Sequence, residues 1–449
     1  MAREKKDISD IMNTGDKGLK AQKGKVPHSN MAEAILSVYS FLTLRDTKQV
    51  LWYDNKAGVY RFNGETVIQQ FAQMKLIELE LEFTATNHYM AQVVGYIQRA
   101  TYIDRDKLNF NKAIVVVKNG VIDLNTRKLL PHSKEYKATV ALPVTYDIGA
   151  DCPKITKFVE EVVQPKDRLL LWEIPAWCLT PYSIIQRLVI LLGEGANGKT
   201  VYLEMLRRFL GRENCTAYSL QSFTTNRFAI AGLYGKLANI SPELPSTALR
   251  QAGPLKTLTG LDTVEAEKKF RDSFNFVNTA KMIFATNNPP EISEDTFAIW
   301  RRFIVIGFPF KFVGDRADKN LLNKLTTEKE LSGLLNKALS ALARLKSRGD
   351  FSYTMSVEDT RDKYLLASNP VAAFIENWCE FDSWASIMKK ELHEAFMQFC
   401  SENKLPGMSI KAFGHKIKTA YRLSDERYKW RGIKVIGTSN EEKNDDVKG

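Results

Sequence analysis

Apolar residues recur at two different spacings along this chain, and the switches between them divide it into segments. VLWYDNKAGVYRFNG, residues 50–64, predicts strand, turn, strand, with Asp-Asn-Lys-Ala-Gly supplying the turn. AIVVVKNGVIDLNTRKLL, residues 113–130, predicts a second strand pair joined by an Asn-Gly turn. Between them, FAQMKLIELELEF (71–83) and YMAQVVGYIQRA (89–100) repeat at helical spacing. YDIGADCPK reads as a linker, and from about residue 155 to 312 short apolar strands alternate with helices, the pattern of an α/β sheet. A helical stretch follows over 318–347. The last unit predicts a helix carrying Leu392, Phe396 and Phe399 on one face, then a turn. A second helix follows with Phe413, Ile417 and Ala420 inward, and RYKWRGIKVIG predicts a closing hairpin.

The pattern partitions the chain into a flexible basic arm (1–30), a small α+β domain (31–150), an α/β domain (151–317), a helical connector (318–354), a basic C-terminal domain (355–438) and a polar, disordered tail (439–449). At 449 residues and 44% hydrophobic content there is material for about two to four cores. The N-terminus MAREKKDISDIM lacks a signal-peptide core, and AIVVV and LVILL are too short to span a bilayer. An intracellular, soluble protein without a membrane partner is expected. No Cys-x-x-Cys pair occurs among the five cysteines, so buried free thiols are expected rather than disulfides or zinc ligands. The net charge of +12 favours an anionic partner, nucleic acid first, although surplus lysine also serves plain solvation.

The most specific motif is Gly193, Glu194, Gly195, Ala196, Asn197, Gly198, Lys199, Thr200, which fits G-x-x-x-x-G-K-[ST]. RLVILL before it reads as a buried strand, and TVYLEMLRRFL after it as a helix stopped by Gly211. Glycines let successive backbone N–H groups converge on phosphate oxygens, and the helix directs its positive end to the same place. Lys199 can then reach the β- and γ-phosphates of ATP, and the Thr200 hydroxyl can ligate Mg2+.

Three further segments carry candidate chemistry. GKLANISPEL ends a strand in Glu243, either a carboxylate that polarises an attacking water or a surface or capping acid. Ser241 and Pro242 stand where a magnesium-holding Asp often precedes such an acid. KMIFATNNPP ends a strand in Asn287, either a contact for the γ-phosphate or a plain turn. Arg301 and Arg302 precede the strand in IWRRFIVIGF, either as surface charge or as the arginine that a neighbouring subunit inserts toward the transferring phosphate. VEAEKKFRDSFNF predicts a hairpin with Lys268, Lys269 and Phe270 near its tip, suited to phosphates and a base or sugar, or else solvated with its Phe packed inward. Lys411, Lys416 and Lys418 face outward on the second C-terminal helix. Helix, turn, basic helix, hairpin is a winged-helix pattern, with a structural or subunit-docking domain as the alternative.

In their order, GEGANGKT, GKLANISPEL, LKTLTGLDTVEAEKKFRDSFNF, KMIFATNNPP and WRRF resemble superfamily 3 helicases, a branch of the AAA+ ATPases, and most of all the helicase part of phage, plasmid and poxvirus primase–helicases. The resemblance is strong over about 155–312 and looser over the rest beyond the arm. It implies an AAA+ P-loop NTPase core, preceded by a small α+β domain and followed by a winged-helix domain. Glu243 is then the catalytic acid, Asn287 the sensor, Arg301 or Arg302 the finger, and the hairpin the DNA-contacting element of a central channel. It further implies a homo-oligomeric ring, usually a hexamer, that hydrolyses ATP with Mg2+ and moves single-stranded or forked DNA, 3′ to 5′. A separate primase or initiator would accompany it, because Asp104 and Asp106 flank an arginine and no His motif matches them. The rival readings are an AAA+ ATPase that remodels a protein, and a DNA-binding initiator with weak or no unwinding.

Overall fold

The computed structural model describes residues 25–436, apart from 181–184, 250, 270–272, 404, 406 and 422. Most of the expected arm, the expected tail and Phe270 lie outside the described residues.

The first layer contains α1 (His28–Val38), β1 (Phe41–Leu44), β2 (Val50–Asp54), β3 (Val59–Arg61), α2 (Gly64–Glu78), α3 (Asn87–Ala100) and β4 (Tyr102–Ile103). Its sheet runs β3-β2-β1-β4, with β4 parallel to β1 and the other pairs antiparallel. α2 ends five residues before its apolar repeat does. Glu80 turns left-handed at φ 55°, and the Leu81 N–H reaches back to Leu76 O at 2.8 Å. That C-cap normally carries Gly, so the stop is invisible in the residue types.

A second sheet, β7-β6-β5-β8, comprises β5 (Ile114–Val117), β6 (Gly120–Asp123), β7 (Leu129–Leu130) and β8 (Ala141–Leu142). Val117 faces Gly120, so the hairpin loop is Lys118–Asn119 rather than Asn-Gly. Gly120 serves close approach instead: a Cβ there would lie 2.5 Å from Leu130 O. Asn119 exchanges hydrogen bonds with the Tyr146 backbone at 2.9 and 3.0 Å.

After α4 (Pro153–Val162) and α5 (Arg168–Trp177) comes a parallel sheet: β9 (Leu188–Leu192), β10 (Cys215–Thr216), β11 (Ala238–Ser241), β14 (Lys281–Thr286) and β15 (Phe303–Gly307), ordered β10-β11-β14-β9-β15. Every residue of β9 and β14 is buried, which is why β9 reads as an unbroken apolar run and β14 as one between Lys281 and Thr286. The crossovers carry α6 (Lys199–Leu210), the one-turn helices α7 (Ser222–Thr225) and α8 (Ala229–Gly232), and α9 (Gly253–Thr259). They also carry the hairpin β12 (Thr263–Ala266)–β13 (Phe274–Val277) and α10 (Phe297–Trp300). The hairpin alternates buried and exposed residues, with Val264, Ala266, Phe274 and Phe276 inward.

The expected helical connector is two helices, α11 (Leu321–Leu325) and α12 (Glu328–Arg348), split where the Thr327 hydroxyl caps the second by accepting Glu330 N–H. The Glu330 carboxylate is itself buried and accepts the N–H groups of Lys154 and Ile155 at 3.3 and 3.1 Å, capping α4. Together with α4–α6 and one face of the parallel sheet, α12 forms a single core that also takes in Val115, Val117, Ile122 and Leu142 of the second N-terminal sheet. The other sheet face packs on the hairpin, on Trp300 and on Tyr364.

The C-terminal unit contains α13 (Val357–Ser368), α14 (Pro370–Trp378), β16 (Cys379–Glu380), β17 (Ser386–Met388), α15 (Lys389–Glu402), α16 (Ile410–Tyr421), β18 (Ser424–Asp425), β19 (Lys429–Arg431) and β20 (Lys434–Val435). Phe374, Phe396 and Phe413 centre its core, the last two stacked at 4.6 Å. Two expectations are corrected here. RYKWRGIKVIG is not a hairpin: β19 lies between β17 and β18, and after Gly432 (φ 90°) the chain departs to pair β20 with β16. Ala420 is exposed rather than inward, because Phe413 and Ile417 already fill that face of α16.

Candidate nucleotide site

The parallel registers bring three predicted residues to one edge. Thr286 lies opposite Leu192, and Ser241 opposite Phe284, so the segments leaving β9, β14 and β11 all emerge at the carboxyl ends of the strands. These segments carry the glycine-rich loop, Asn287 and Glu243.

The loop 193–198 has the backbone its sequence demands. Gly193, Ala196 and Gly198 have φ of 157°, 58° and 92°. A Cβ on Gly193 would meet Asn197 Nδ2 at 2.2 Å and Phe308 O at 2.5 Å, and one on Gly198 would meet Val162 Cγ1 at 2.8 Å, whereas Gly195 faces open space. The loop is also held from outside: Asn197 is buried and donates to Phe308 O at 3.2 Å, Phe312 N–H donates to Ala196 O at 2.7 Å, and Glu194 pairs with Lys311.

Lys199 opens α6 and folds back over this loop. Its ammonium donates to the carbonyls of Gly193 and Glu194 (3.3 Å to the latter), to Asn197 Oδ1 at 3.1 Å and to Asn287 Oδ1 at 3.0 Å. Burial pushes this amine down to about 8, yet every partner is an acceptor that favours the charged form. Four neutral oxygens around a buried cation leave its charge uncompensated, which is the electrostatic demand that a triphosphate answers.

Thr200 is exposed on the first turn of α6. Glu243 is exposed in a turn fixed on both sides. Its carbonyl accepts the buried Ser241 hydroxyl at 3.1 Å, and Leu244 N–H donates to Ala285 O at 3.1 Å. Ser241 therefore shapes the turn and supplies no carboxylate.

Arg301 and Arg302 stand at the opposite edge, since Phe303 pairs with Leu188 at the start of β9. Five residues of strand separate them from the loop, about 15 Å. The two differ sharply. Arg302 is 9% exposed; it donates to Thr259 Oγ1 at 3.0 Å and to Ala298 O, and burial lowers its pKa. Arg301 is exposed, with its guanidinium on Gln186 Oε1 at 3.3 Å. Arg187, which the motifs did not single out, grips Asp350 with Nε 3.1 Å from both carboxylate oxygens and donates to Arg301 O. No sequence pattern could reveal a clamp whose partner lies 163 residues away.

The remaining predicted residues lie apart from the loop. Lys268 is half-buried with its amine 5.6 Å from the Phe274 ring centroid, and Lys269 is exposed. Lys411, Lys416 and Lys418 are exposed along α16. Lys411, Lys418 and His415 line a groove with Lys389 and Trp430, where Lys389 lies 4.9 Å from the Trp430 ring. Asp104 pairs with Arg45 at 3.0 Å and Asp106 with Lys107 at 3.6 Å.

Three family descriptions match successive parts of the chain. A family described as D5 N terminal like matches residues 32–164, a family of unknown function (DUF5906) matches 191–302, and a family described as poxvirus D5 protein-like matches 366–446. The first and last of these matches make the chain similar to the phage- and poxvirus-type primase–helicases. A protein of Acanthamoeba polyphaga mimivirus provisionally named a helicase, L207/L206, is 24% identical to this chain over 218 residues, which is 46% of its length. The chain spans about a quarter of that protein, 23% of its length. Solved structures of the NrS-1 C-terminal region align at 13% identity over 90% of this chain and 98% of theirs (TM-score 0.49), and at 14% over 92% and 100% (TM-score 0.46). Among the described residues, no helix is long and apolar enough to cross a membrane, and all five cysteines are free thiols.

Proposed function

We propose that this protein is a primase–helicase-type, ATP-dependent DNA motor of viral or mobile-element replication, acting as a ring on single-stranded DNA. The observation that carries the reading is the 3.0 Å contact between Lys199 and Asn287, which joins the phosphate loop to the tip of the neighbouring strand. A five-stranded parallel sheet with the loop on an inner strand supports an AAA+ core.

In this reading the backbone N–H groups of 193–198 and the Lys199 ammonium bind the phosphates of ATP, exchanging neutral carbonyl partners for anionic ones. Asn287, freed from the lysine, turns to the γ-phosphate. Glu243 orients the attacking water and takes its proton. Thr200 would hold Mg2+, which supplies charge neutralisation at the β- and γ-oxygens. Arg301 lies too far from its own loop to act there, so it serves the site of the adjacent subunit. Such a head-to-tail contact generates a ring when the rotation closes.

Lys268 and Lys269 at the hairpin tip grip the polynucleotide, and the winged-helix reading of the C-terminal unit adds a second contact through Lys411, Lys416 and Lys418. Strand displacement on a forked duplex, measured with ATP and beside particle mass, tests the proposal. A preparation that hydrolyses ATP at full rate as a monomer, with no response to DNA, overturns it. Within it, Lys268→Ala with Lys269→Ala should abolish unwinding and leave basal ATPase within about twofold, since the tip lies outside the nucleotide site. Equal loss of both activities would make the hairpin a structural element.

Protein remodelling is the weaker reading. A peptide-gripping loop favours apolar and aromatic residues, and the described part of this tip is lysine-bearing. Comparing DNA-stimulated with protein-stimulated ATPase separates the two.

A further inference from the structure

Arg105 sits just after β4 at the rim of the first N-terminal sheet, far in sequence from any motif of the motor. We infer that it is a positioning residue, which braces the β12–β13 hairpin just below its loop and thereby sets where Lys268 and Lys269 meet the polynucleotide. The inference rests on the proposed role of that hairpin.

The geometry is specific. The Arg105 Nε donates to Asp46 Oδ2 at 2.7 Å, and Nη2 donates to Asp46 Oδ1 at 2.9 Å and Thr47 Oγ1 at 3.3 Å. This two-pronged grip fixes the guanidinium plane. The same guanidinium lies 4.4 Å from the Tyr234 ring centroid and 4.6 Å from that of Phe274. Only 13% of the Arg105 side chain is exposed, so the attraction between cation and ring acts largely out of water.

The rings belong to the motor. Tyr234 packs edge-on against Phe274 and Phe276, both at 5.4 Å, and against Phe62 of the N-terminal unit at 6.0 Å. Phe274 is the first residue of β13, paired with Ala266 on the last rung before the loop that joins the two strands. The Lys268 amine approaches this same ring at 5.6 Å. Arg105 and a tip lysine therefore share one aromatic support. Between them lies a cleft of about 240 Å3, lined also by Gln49, Asn63 and Thr66.

The second N-terminal sheet is fastened to the motor by a common core and by bonds such as Arg127 Nη2 to Leu339 O at 2.9 Å. The Arg105 junction is different in kind: a cation from one unit stands against the moving element proposed for the other. A planar cation is needed, because a lysine could satisfy Asp46 but not also lie along two rings.

The test uses the full chain as wild type, Arg105→Ala, Arg105→Lys and Tyr234→Leu. Basal ATPase, ATPase with a single-stranded oligonucleotide, oligonucleotide affinity by fluorescence anisotropy, and melting temperature are measured for each. Arg105→Ala should keep basal ATPase within about twofold and lose roughly tenfold of the DNA stimulation. Arg105→Lys should recover part of it, and Tyr234→Leu should match the alanine variant. Full DNA stimulation in soluble Arg105→Ala overturns the inference, as does a parallel fall of basal and stimulated rates with the melting temperature. If Arg105→Ala does not fold, soluble Arg105→Lys and Tyr234→Leu decide by the same comparison. A wild type without DNA stimulation fails earlier, at the proposed function itself, and removes the inference with it.

Discussion

Lys199→Ala is expected to lower ATP turnover by roughly 10²–10³-fold, about 3–4 kcal/mol of transition-state stabilisation. The lysine touches both ends of the proposed site, the Gly193 and Glu194 carbonyls on one side and Asn287 on the other. In the absence of nucleotide its loss should be mild, because the freed oxygens border an open loop that water can reach. The variant should therefore melt within a few degrees of wild type alone, but gain less on adding Mg2+ and ATP. Wild type at a hundredfold excess of nucleotide over Kd should gain about 2.7 kcal/mol. Thermal melts with and without nucleotide, read beside phosphate release, check both halves. A Lys199→Ala protein that turns over at the wild-type rate would take the nucleotide site away from this loop.

The second large effect separates two adjacent arginines. Arg301→Ala should cost about 10³-fold or more in ATPase while leaving the fold intact, the scale of an inserted arginine finger. Arg302→Ala should instead destabilise by about 1–3 kcal/mol, since it strips buried hydrogen bonds from Thr259 and Ala298. Mixing makes the first effect diagnostic. Subunits with Arg301→Ala keep an intact loop, and subunits with Lys199→Ala keep an intact finger. In an equal mixture about a quarter of head-to-tail seams join a good loop to a good finger. ATPase should then exceed that of either parent. No recovery at any ratio, with mixed particles verified by mass, would sink the sharing of sites between subunits.

What the sequence made legible follows from how local each signal is. The phosphate loop was readable because its glycines, lysine and strand all lie within a dozen residues. The strand before Asn287 was readable because burial on both faces writes an apolar run, Met282–Ala285; the strand before Glu243 was fainter, since buried Asn239 and Ser241 alternate with its apolar residues. The meeting of Lys199 with Asn287 was not, since it depends on β14 lying next to β9 across 88 residues of chain. The contrast between Arg301 and Arg302 was equally hidden, because α10 turns one toward solvent and the other toward Thr259. The terminal strands misled for a related reason: alternation predicts a strand but not its partner, and β20 found β16 instead of β19. Arg105 read as a charge interrupting an acidic pair, and its rings come from Tyr234 and Phe274, more than a hundred residues on.

The interior shared by β5–β8, α12 and the nucleotide-bearing sheet has a practical corollary for anyone trimming this protein. A fragment begun at Asp151 would shed Val115, Val117, Ile122 and Leu142 while keeping the oily surface they cover. Such a fragment should clump on expression, and one begun ahead of Ile114 should stay dispersed. The smallest part that folds alone thus includes residues that a motif map assigns to its neighbour.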